Sequence, residues 1–198
     1  MKRLFFLSIL LFLVGFSAAA QKADCNKPWY ISAGIGEQHS GIRSEDYVKD
    51  NFSPIFVIEG GSFISSCFAI EIGIKGCWYN FISDNDRHYY ASLYGNLVFD
   101  IQNAISYKEY RLWNTQVYLG GGLMYNAFHG LASPVGLLEY PDGRLQPILN
   151  IGMSNLFRVS PKMQLGLDVG GICGWGLYQD SSDMIPSAFL RMVYSFPI

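Results

Sequence analysis

Residues 68–78 read FAIEIGIKGCW, and the alternation in this stretch decides the fold. Successive side chains of an extended strand point to opposite faces, so odd and even positions separate. One face is apolar and aromatic, with Phe68, Ile70, Ile72, Ile74 and Trp78. The other face carries Glu71 and Lys75 among small residues. A period of two, and not of 3.6, predicts a β-strand with one apolar and one polar side.

The same period recurs along the rest of the chain. Residues 163–175 repeat the pattern, with Ile172 as the one apolar side chain on the polar face. Six further segments alternate within residues 29–36, 56–59, 89–101, 116–125, 149–154 and 190–196. The total of eight is even, as a single-chain outer-membrane barrel requires.

Predicted connections separate these segments, and prolines mark their boundaries. Longer links are predicted at 38–52, 127–145 and 178–185, a link of intermediate length at 80–87, and short turns at 62–66 and 156–161. The link at 102–113 is longer than this scheme expects. Prolines disrupt strand ladders, and the pattern predicts strand starts at Pro28, Pro54, Pro147 and Pro186.

The two faces differ in kind, and this decides which of them points inward. The polar face combines ionic side chains with many Gly, Ser and Asn residues, which suits the narrow lumen of an eight-stranded barrel. The apolar face ends in aromatic residues on both sides, as membrane interfaces select. The predicted fold is all-β: an eight-stranded antiparallel up-and-down transmembrane β-barrel, with its apolar face toward lipid.

The first twenty residues predict export. Lys2 and Arg3 precede an apolar run, and Ser17 to Ala20 supplies small residues for cleavage. The thirteen-residue apolar core at 4–16 is short for a spanning helix, which needs about 20 residues. Residues 22–24 before Cys25 do not form a lipobox. We therefore assign residues 1–20 to a cleaved signal peptide for the Sec pathway, and residues 21–198 to one outer-membrane barrel domain.

Composition excludes some functions. Charged residues make up 15% of the chain, aromatic residues make up 16%, and the net charge is −2. Without a basic field, nucleic acid is not expected as a partner. The glycine runs at 120–122 and 170–171 lack the lysine and helix of a phosphate loop. No cofactor is predicted.

The alternating runs at 68–75 and 117–123 resemble those of small outer-membrane barrels of the OmpA and OmpX type. They are also similar to the wider group described as outer membrane protein beta-barrel domain, which includes PorT-like proteins. The resemblance covers most of residues 28–198 as a pattern. It implies a structural or surface role, or, for a PorT-like protein, a part in transport or secretion.

The ionisable residues on the inward face are candidates for a luminal ion network, because buried charges must be paired. They are Glu59, Glu71, Lys75, Asp100, Asp168 and Arg191. We expect this network to fill and stiffen the lumen. The alternative is that these residues line a gated ion path.

Four cysteines remain after the predicted cleavage, in an oxidising compartment. Cys77 is expected to face the lumen and Cys173 the lipid, so these two should not pair. Cys25 and Cys67 both lie near the predicted periplasmic rim, and a disulfide between them is possible.

Catalysis is not predicted. His39, His88 and His129 lie in or beside predicted outer loops, where polar residues collect in any case. Neither His39-Ser40 nor the segment 129–133 resembles the His-x-Ser-Asn motif of lipid-deacylating barrels, so a lipid-modifying enzyme ranks third among the functions. Neither a metal nor a catalytic site is assigned.

Two main functions therefore remain. The first is a structural or surface-interaction barrel that acts through its extracellular loops. The second is an accessory for transport or protein secretion, as a PorT-like protein would be. In both, the predicted location is the cell outer membrane, and the predicted partners are outer-membrane lipids, lipopolysaccharide, the barrel assembly machinery and an envelope or surface protein.

Overall fold

A computed structural model of the chain describes residues 29–39, 52–80, 87–106, 111–129, 144–175 and 182–196. Within these residues lie eight strands: β1 Trp29–His39, β2 Phe52–Phe63, β3 Phe68–Asn80, β4 Arg87–Asp100, β5 Trp113–His129, β6 Arg144–Ser160, β7 Met163–Trp175 and β8 Ser182–Ser195. The predicted signal peptide, its cleavage site, Cys25 and the long links at 40–51 and 130–143 lie outside the described residues.

The strands close on themselves. Each pairs antiparallel with its neighbour along the chain, and β1 pairs with β8 through nine residue pairs from Tyr30–Ser195 to Gln38–Ser187. Every described strand therefore has a partner on both sides, which is the arrangement that satisfies the backbone of a β-structure in lipid. The predicted eight-stranded up-and-down barrel is confirmed.

The barrel has two distinct ends. At one end, which we call the turn end, β2 meets β3 across residues 64–67, β6 meets β7 across 161–162, and β1 begins as β8 finishes. At the other, the loop end, the chain leaves the described strands for 40–51, 81–86, 130–143 and 176–181.

The outward face is apolar and the inward face is buried. On β3, the Ile72 side chain is 64% exposed, whereas that of its neighbour Glu71 is 1% exposed. Large apolar side chains also cover the outside of the other strands, among them Ile35, Ile58, Leu93, Leu119, Ile151, Leu167 and Leu190. The parity deduced for Glu71 and Ile72 is thus the one observed. Such an outer surface suits hydrocarbon and not water.

Three strands begin earlier than predicted. Pro54, Pro147 and Pro186 lie inside β2, β6 and β8, paired with Glu37, Leu123 and Gly171. The expectation that these prolines mark strand starts was wrong. Each lies within the first five residues of its strand, close to the loop end, where one missing N–H donor interrupts little of the ladder.

The long link between β4 and β5 contains a short helix, α1 Ile101–Ile105. Asp100 caps it, because its Oδ1 accepts a hydrogen bond of 2.8 Å from the backbone N–H of Asn103. In the described part of the chain, no helix is both long enough and apolar enough to cross a membrane.

The outward position of Ile72 gives a test of barrel orientation. We expect Ile72→Lys to cost about 2–4 kcal/mol of folding free energy in a bilayer, because a charge enters the hydrocarbon near mid-strand. Ile105→Lys, at an exposed position on α1, is the matched control and should cost about 0–1 kcal/mol. Denaturant titration of both variants in lipid vesicles measures the difference; equal costs would contradict the assigned orientation.

Candidate functional site

The guanidinium of Arg191 lies at the centre of the lumen. Its Nη2 is 2.9 Å from Glu59 Oε2 and also pairs with Glu71 Oε1, while its Nη1 is 3.7 Å from Asp168 Oδ2. All four side chains are at most 5% exposed. One cation thus serves three carboxylates from β2, β3 and β7.

Each carboxylate also accepts a hydrogen bond from one tyrosine. Tyr94 donates to Glu59 Oε1 at 2.9 Å, Tyr30 donates to Glu71 Oε1 at 2.9 Å, and Tyr118 donates to Asp168 Oδ1 at 2.7 Å. Hydrogen bonds to an ionised acceptor are stronger than neutral ones, so these phenols share the stabilisation of the acids with Arg191.

Two serines complete the cluster. Ser32 donates to Glu59 Oε2 at 2.9 Å, and Ser154 donates to Asp168 Oδ2 while its Oγ accepts from Arg191 Nη1 at 3.2 Å. With these residues, every strand of the barrel contributes to what we call the luminal cluster: Tyr30, Ser32, Glu59, Glu71, Tyr94, Tyr118, Ser154, Asp168 and Arg191. The cluster therefore cross-links the barrel through its interior.

Inward-facing glycines make room for the three tyrosines. A Cβ atom on Gly73 would lie 2.8 Å from the Tyr94 ring, and one on Gly61 would lie 2.4 Å from the Tyr30 ring. A Cβ on Gly152 would lie 2.3 Å from the Tyr118 hydroxyl. Distances this short cannot be accommodated without movement, so these glycines permit the rings to cross the lumen.

The other two ionisable residues predicted for the lumen lie elsewhere. The Lys75 ammonium is nearer the loop end, where it donates to Ser187 Oγ at 2.7 Å and lies 5.6 Å from the centre of the Phe189 ring. Asp100 lies at the turn end, where it caps α1 and accepts hydrogen bonds from the side chains of Asn103 and Asn114. The structure thus brings four of the six predicted residues together.

Buried apolar side chains pack in the lumen on both sides of Arg191. Along β8 the inward residues run Phe189, Arg191 and Val193, so the cation lies between two apolar neighbours. The loop-end apolar layer consists of Ile55, Val57, Cys77, Tyr90, Met124, Ile148, Ile172, Ile185 and Phe189. The turn-end apolar layer consists of Tyr30, Ala69, Val98, Tyr118, Leu156 and Val193, with Phe63 against it.

The loop-end layer is a feature that the sequence interpretation missed. Ile172 was noted as a lone apolar residue on the polar face, but it is one of nine side chains that pack together. Ile55, Ile148 and Ile185 lie beside the three prolines that were taken as strand starts. Extending the period of two back to Pro54 and Pro147, and past Pro186, would have assigned all three to the inward face.

The described cysteines, Cys67, Cys77 and Cys173, do not belong to the luminal cluster. Cys67 is buried at the turn end, with its sulfur 3.8 Å from Ser65 Oγ; its possible disulfide with Cys25 stays a prediction because Cys25 is not described. Cys77 faces the lumen and Cys173 is partly exposed. In the described ranges, no three His, Cys, Asp or Glu side chains are grouped to hold a metal ion.

Comparison with known proteins places the fold. No protein-family model matches the chain, and no curated protein sequence does. Among solved structures, the chain is similar to Neisserial surface protein A, with a TM-score of 0.59 and 9% identity over 86% of this chain and 97% of that one. It is also similar to Ail, the attachment invasion locus protein of Yersinia pestis, with a TM-score of 0.54 and 16% identity over 86% and 98%. A major outer membrane protein of Thermus thermophilus matches with a TM-score of 0.54 and 10% identity over 86% and 99%.

These similarities span nearly the whole of each matched chain, so the shared unit is the complete barrel. The predicted resemblance to small eight-stranded outer-membrane barrels is confirmed at the level of fold. With identities of 9–16%, the likeness concerns architecture alone.

The fit between Gly73 and Tyr94 gives a packing test. We expect Gly73→Ala to destabilise the barrel by about 1–3 kcal/mol, because the new methyl overlaps the Tyr94 ring and Glu59 Cγ. Gly95→Ala is the matched control, since its Cβ would face outward, 3.7 Å from the nearest atom. Urea unfolding in detergent micelles measures both; a Gly73→Ala barrel as stable as the control would show that Tyr94 does not occupy this place.

The sharing of Arg191 among three acids gives an electrostatic test. We expect Arg191→Leu to cost about 3–5 kcal/mol, because it leaves buried carboxylates without their cation. Lys75→Leu also removes a buried cation, but one whose ammonium bonds a hydroxyl, so its cost should be clearly smaller. The free energies of unfolding of the two variants test this expectation. Equal losses of stability would mean that pairing with three acids gives Arg191 no larger effect than Lys75.

Proposed function

We propose that the chain is an integral outer-membrane barrel with a closed lumen, which acts through the surface at its loop end. One observation carries this proposal: a buried ion cluster to which all eight strands contribute lies between two apolar layers. An interior filled in this way favours a structural role over transport of ions or solutes through the lumen.

Three features support placement in an outer membrane. The outward face is apolar around the barrel, as hydrocarbon requires. Aromatic residues cluster at the turn end, where Trp113 stacks on Phe157 and Phe68 packs on Phe99. The fold is also that of bacterial outer-membrane proteins. Export through the Sec pathway with removal of residues 1–20, assembly by the barrel machinery, and contact with lipopolysaccharide belong to the same proposal.

The loop end is the side on which we place the surface role. Four connections leave the barrel there, and the longest undescribed ones are residues 40–51 and 130–143. Two proteins of similar fold are named as a surface protein and an attachment invasion protein. Because the likeness is one of fold, these names motivate the surface role and do not identify a ligand.

The luminal cluster supports neither a transport nor a catalytic role. Each of its three acids accepts hydrogen bonds from a tyrosine and contacts Arg191, so the groups stabilise each other. A secretion accessory of the PorT-like kind would then have to act through an external surface. We propose that the chain is not an enzyme.

A closed lumen predicts the absence of ion current. The refolded wild-type chain should show no stable, porin-sized steps in planar bilayers, because side chains and two apolar layers leave no water column. Arg191→Leu should lower stability without opening a pore, since both apolar layers remain. Reproducible steps from the wild type would contradict the closed lumen and favour the transport alternative.

The proposed orientation predicts which connections lie outside the cell. A peptide tag inserted within residues 130–143 should bind antibody on intact cells. The same tag inserted between Pro161 and Lys162, in the turn from β6 to β7, should bind only after the outer membrane is permeabilised. Fluorescence of labelled cells before and after permeabilisation measures both, and the reverse pattern would show that the barrel is inserted the other way.

A further inference from the structure

The described part of the lumen holds more buried acids than buried cations around Arg191. The acids and cations are, respectively, Glu59, Glu71 and Asp168, and Arg191 and Lys75. Asp100 is left out of this comparison because it lies at the turn end, where Arg111 interacts with its charge. If all five groups were ionised, the interior would carry one excess negative charge. An unpaired buried charge is so costly that the group usually becomes neutral by changing its protonation state.

The hydrogen-bond donors of the lumen distinguish Glu71 from the other two acids. Glu59 and Asp168 each accept hydrogen bonds on both carboxylate oxygens. Glu71 Oε1 accepts from Tyr30 and Arg191, whereas Glu71 Oε2 is buried and no donor among the described residues reaches it. An ionised carboxylate is stabilised by donors on both of its oxygens. A protonated oxygen therefore fits the surroundings of Glu71 Oε2 better than a charged one.

Arg191 also holds Glu59 and Glu71 close to each other. Its Nη2 contacts both Glu59 Oε2 and Glu71 Oε1. When two carboxyl groups share a site, their like charges repel, so one of the two keeps a proton. Both oxygens of Glu59 already accept hydrogen bonds. The oxygen that is left for the proton is therefore Glu71 Oε2.

We propose that Glu71 is a proton-binding site and that the folded barrel holds this side chain as a neutral carboxylic acid. With this proton, the three acids and the two cations have no net charge. The inference concerns the interior of the barrel and does not depend on the surface role proposed for the loop end. The charged and titratable groups around Glu71 are Tyr30 from β1, Glu59 from β2, Lys75 from β3, Tyr94 from β4, Tyr118 from β5, Asp168 from β7 and Arg191 from β8, while β6 contributes the uncharged Ser154.

Infrared absorption of the full chain, refolded at neutral pH in a detergent without ester groups, detects the proton directly. The carbonyl stretch of a protonated carboxyl group is separate from the bands of ionised carboxylates, and exposed acids are ionised at this pH. We expect this band in the wild type and its loss in E71Q, in which an amide replaces the acid. Absence of the band from the wild type, or an undiminished band in E71Q, would overturn the inference.

Two amide variants separate Glu71 from the other acids by their stability. E71Q should unfold at nearly the same urea concentration as the wild type, because its amide oxygen can still accept from Tyr30 and Arg191 and the side chain stays neutral. D168N is the matched control and should unfold at a clearly lower concentration. Its amide nitrogen would replace an oxygen that accepts from either Tyr118 or Ser154. A loss in E71Q as large as that in D168N would contradict a neutral Glu71.

The pH dependence of unfolding counts the proton. An exposed glutamate is ionised at neutral pH, so the wild type should release one proton as it unfolds and should lose stability as the pH rises. Its unfolding equilibrium constant should therefore increase with pH more steeply than that of E71Q, by about tenfold for each pH unit. Equal pH dependence in the two proteins would show that Glu71 holds no proton in the folded barrel.

Discussion

The closure of β1 against β8 is the constraint on which the rest of the structure depends. A strand in lipid finds no water for its backbone, so each strand needs a partner on both sides. Nine residue pairs between β1 and β8 meet this need and turn the sheet into a ring. Closure at eight strands also fixes the interior width, which is enough for side chains and little else. All inward residues must therefore pack against one another.

The luminal cluster is how this chain meets that packing requirement. Three acids point inward from β2, β3 and β7, and a single guanidinium reaches all of them. The remaining stabilisation comes from hydroxyl donors, which carry no charge of their own to bury. Glycines opposite the tyrosines allow the rings to span the lumen, and the two apolar layers lie on either side of Arg191. The inward glycines and the acids thus belong to one packing arrangement.

The alternation of side chains predicted which face each residue occupies but not which inward residues meet. It placed Glu71 and Arg191 inward and Ile72 outward, because parity follows from strand geometry alone. It did not show that Lys75 and Asp100 lie away from Arg191, since contacts across the lumen depend on the register between strands. The tyrosine partners of the acids could not be predicted for the same reason. Tyr30 and Glu71, for example, are 41 residues apart and meet only in the closed barrel. The early starts of β2, β6 and β8 were missed because proline was given more weight than the continuing alternation.

The central claim is that the lumen around Arg191 is sealed from water at both ends. Ser32, which bonds Glu59 in the luminal cluster, is 2% exposed, whereas Ser106 beyond α1 is exposed. A single cysteine at either position, with the four native cysteines replaced by serine, can be treated with a small charged thiol reagent. The account predicts that Ser106→Cys reacts fully in the folded barrel and Ser32→Cys reacts only after unfolding. Labelling of Ser32→Cys in the folded barrel at a rate comparable to Ser106→Cys would contradict it.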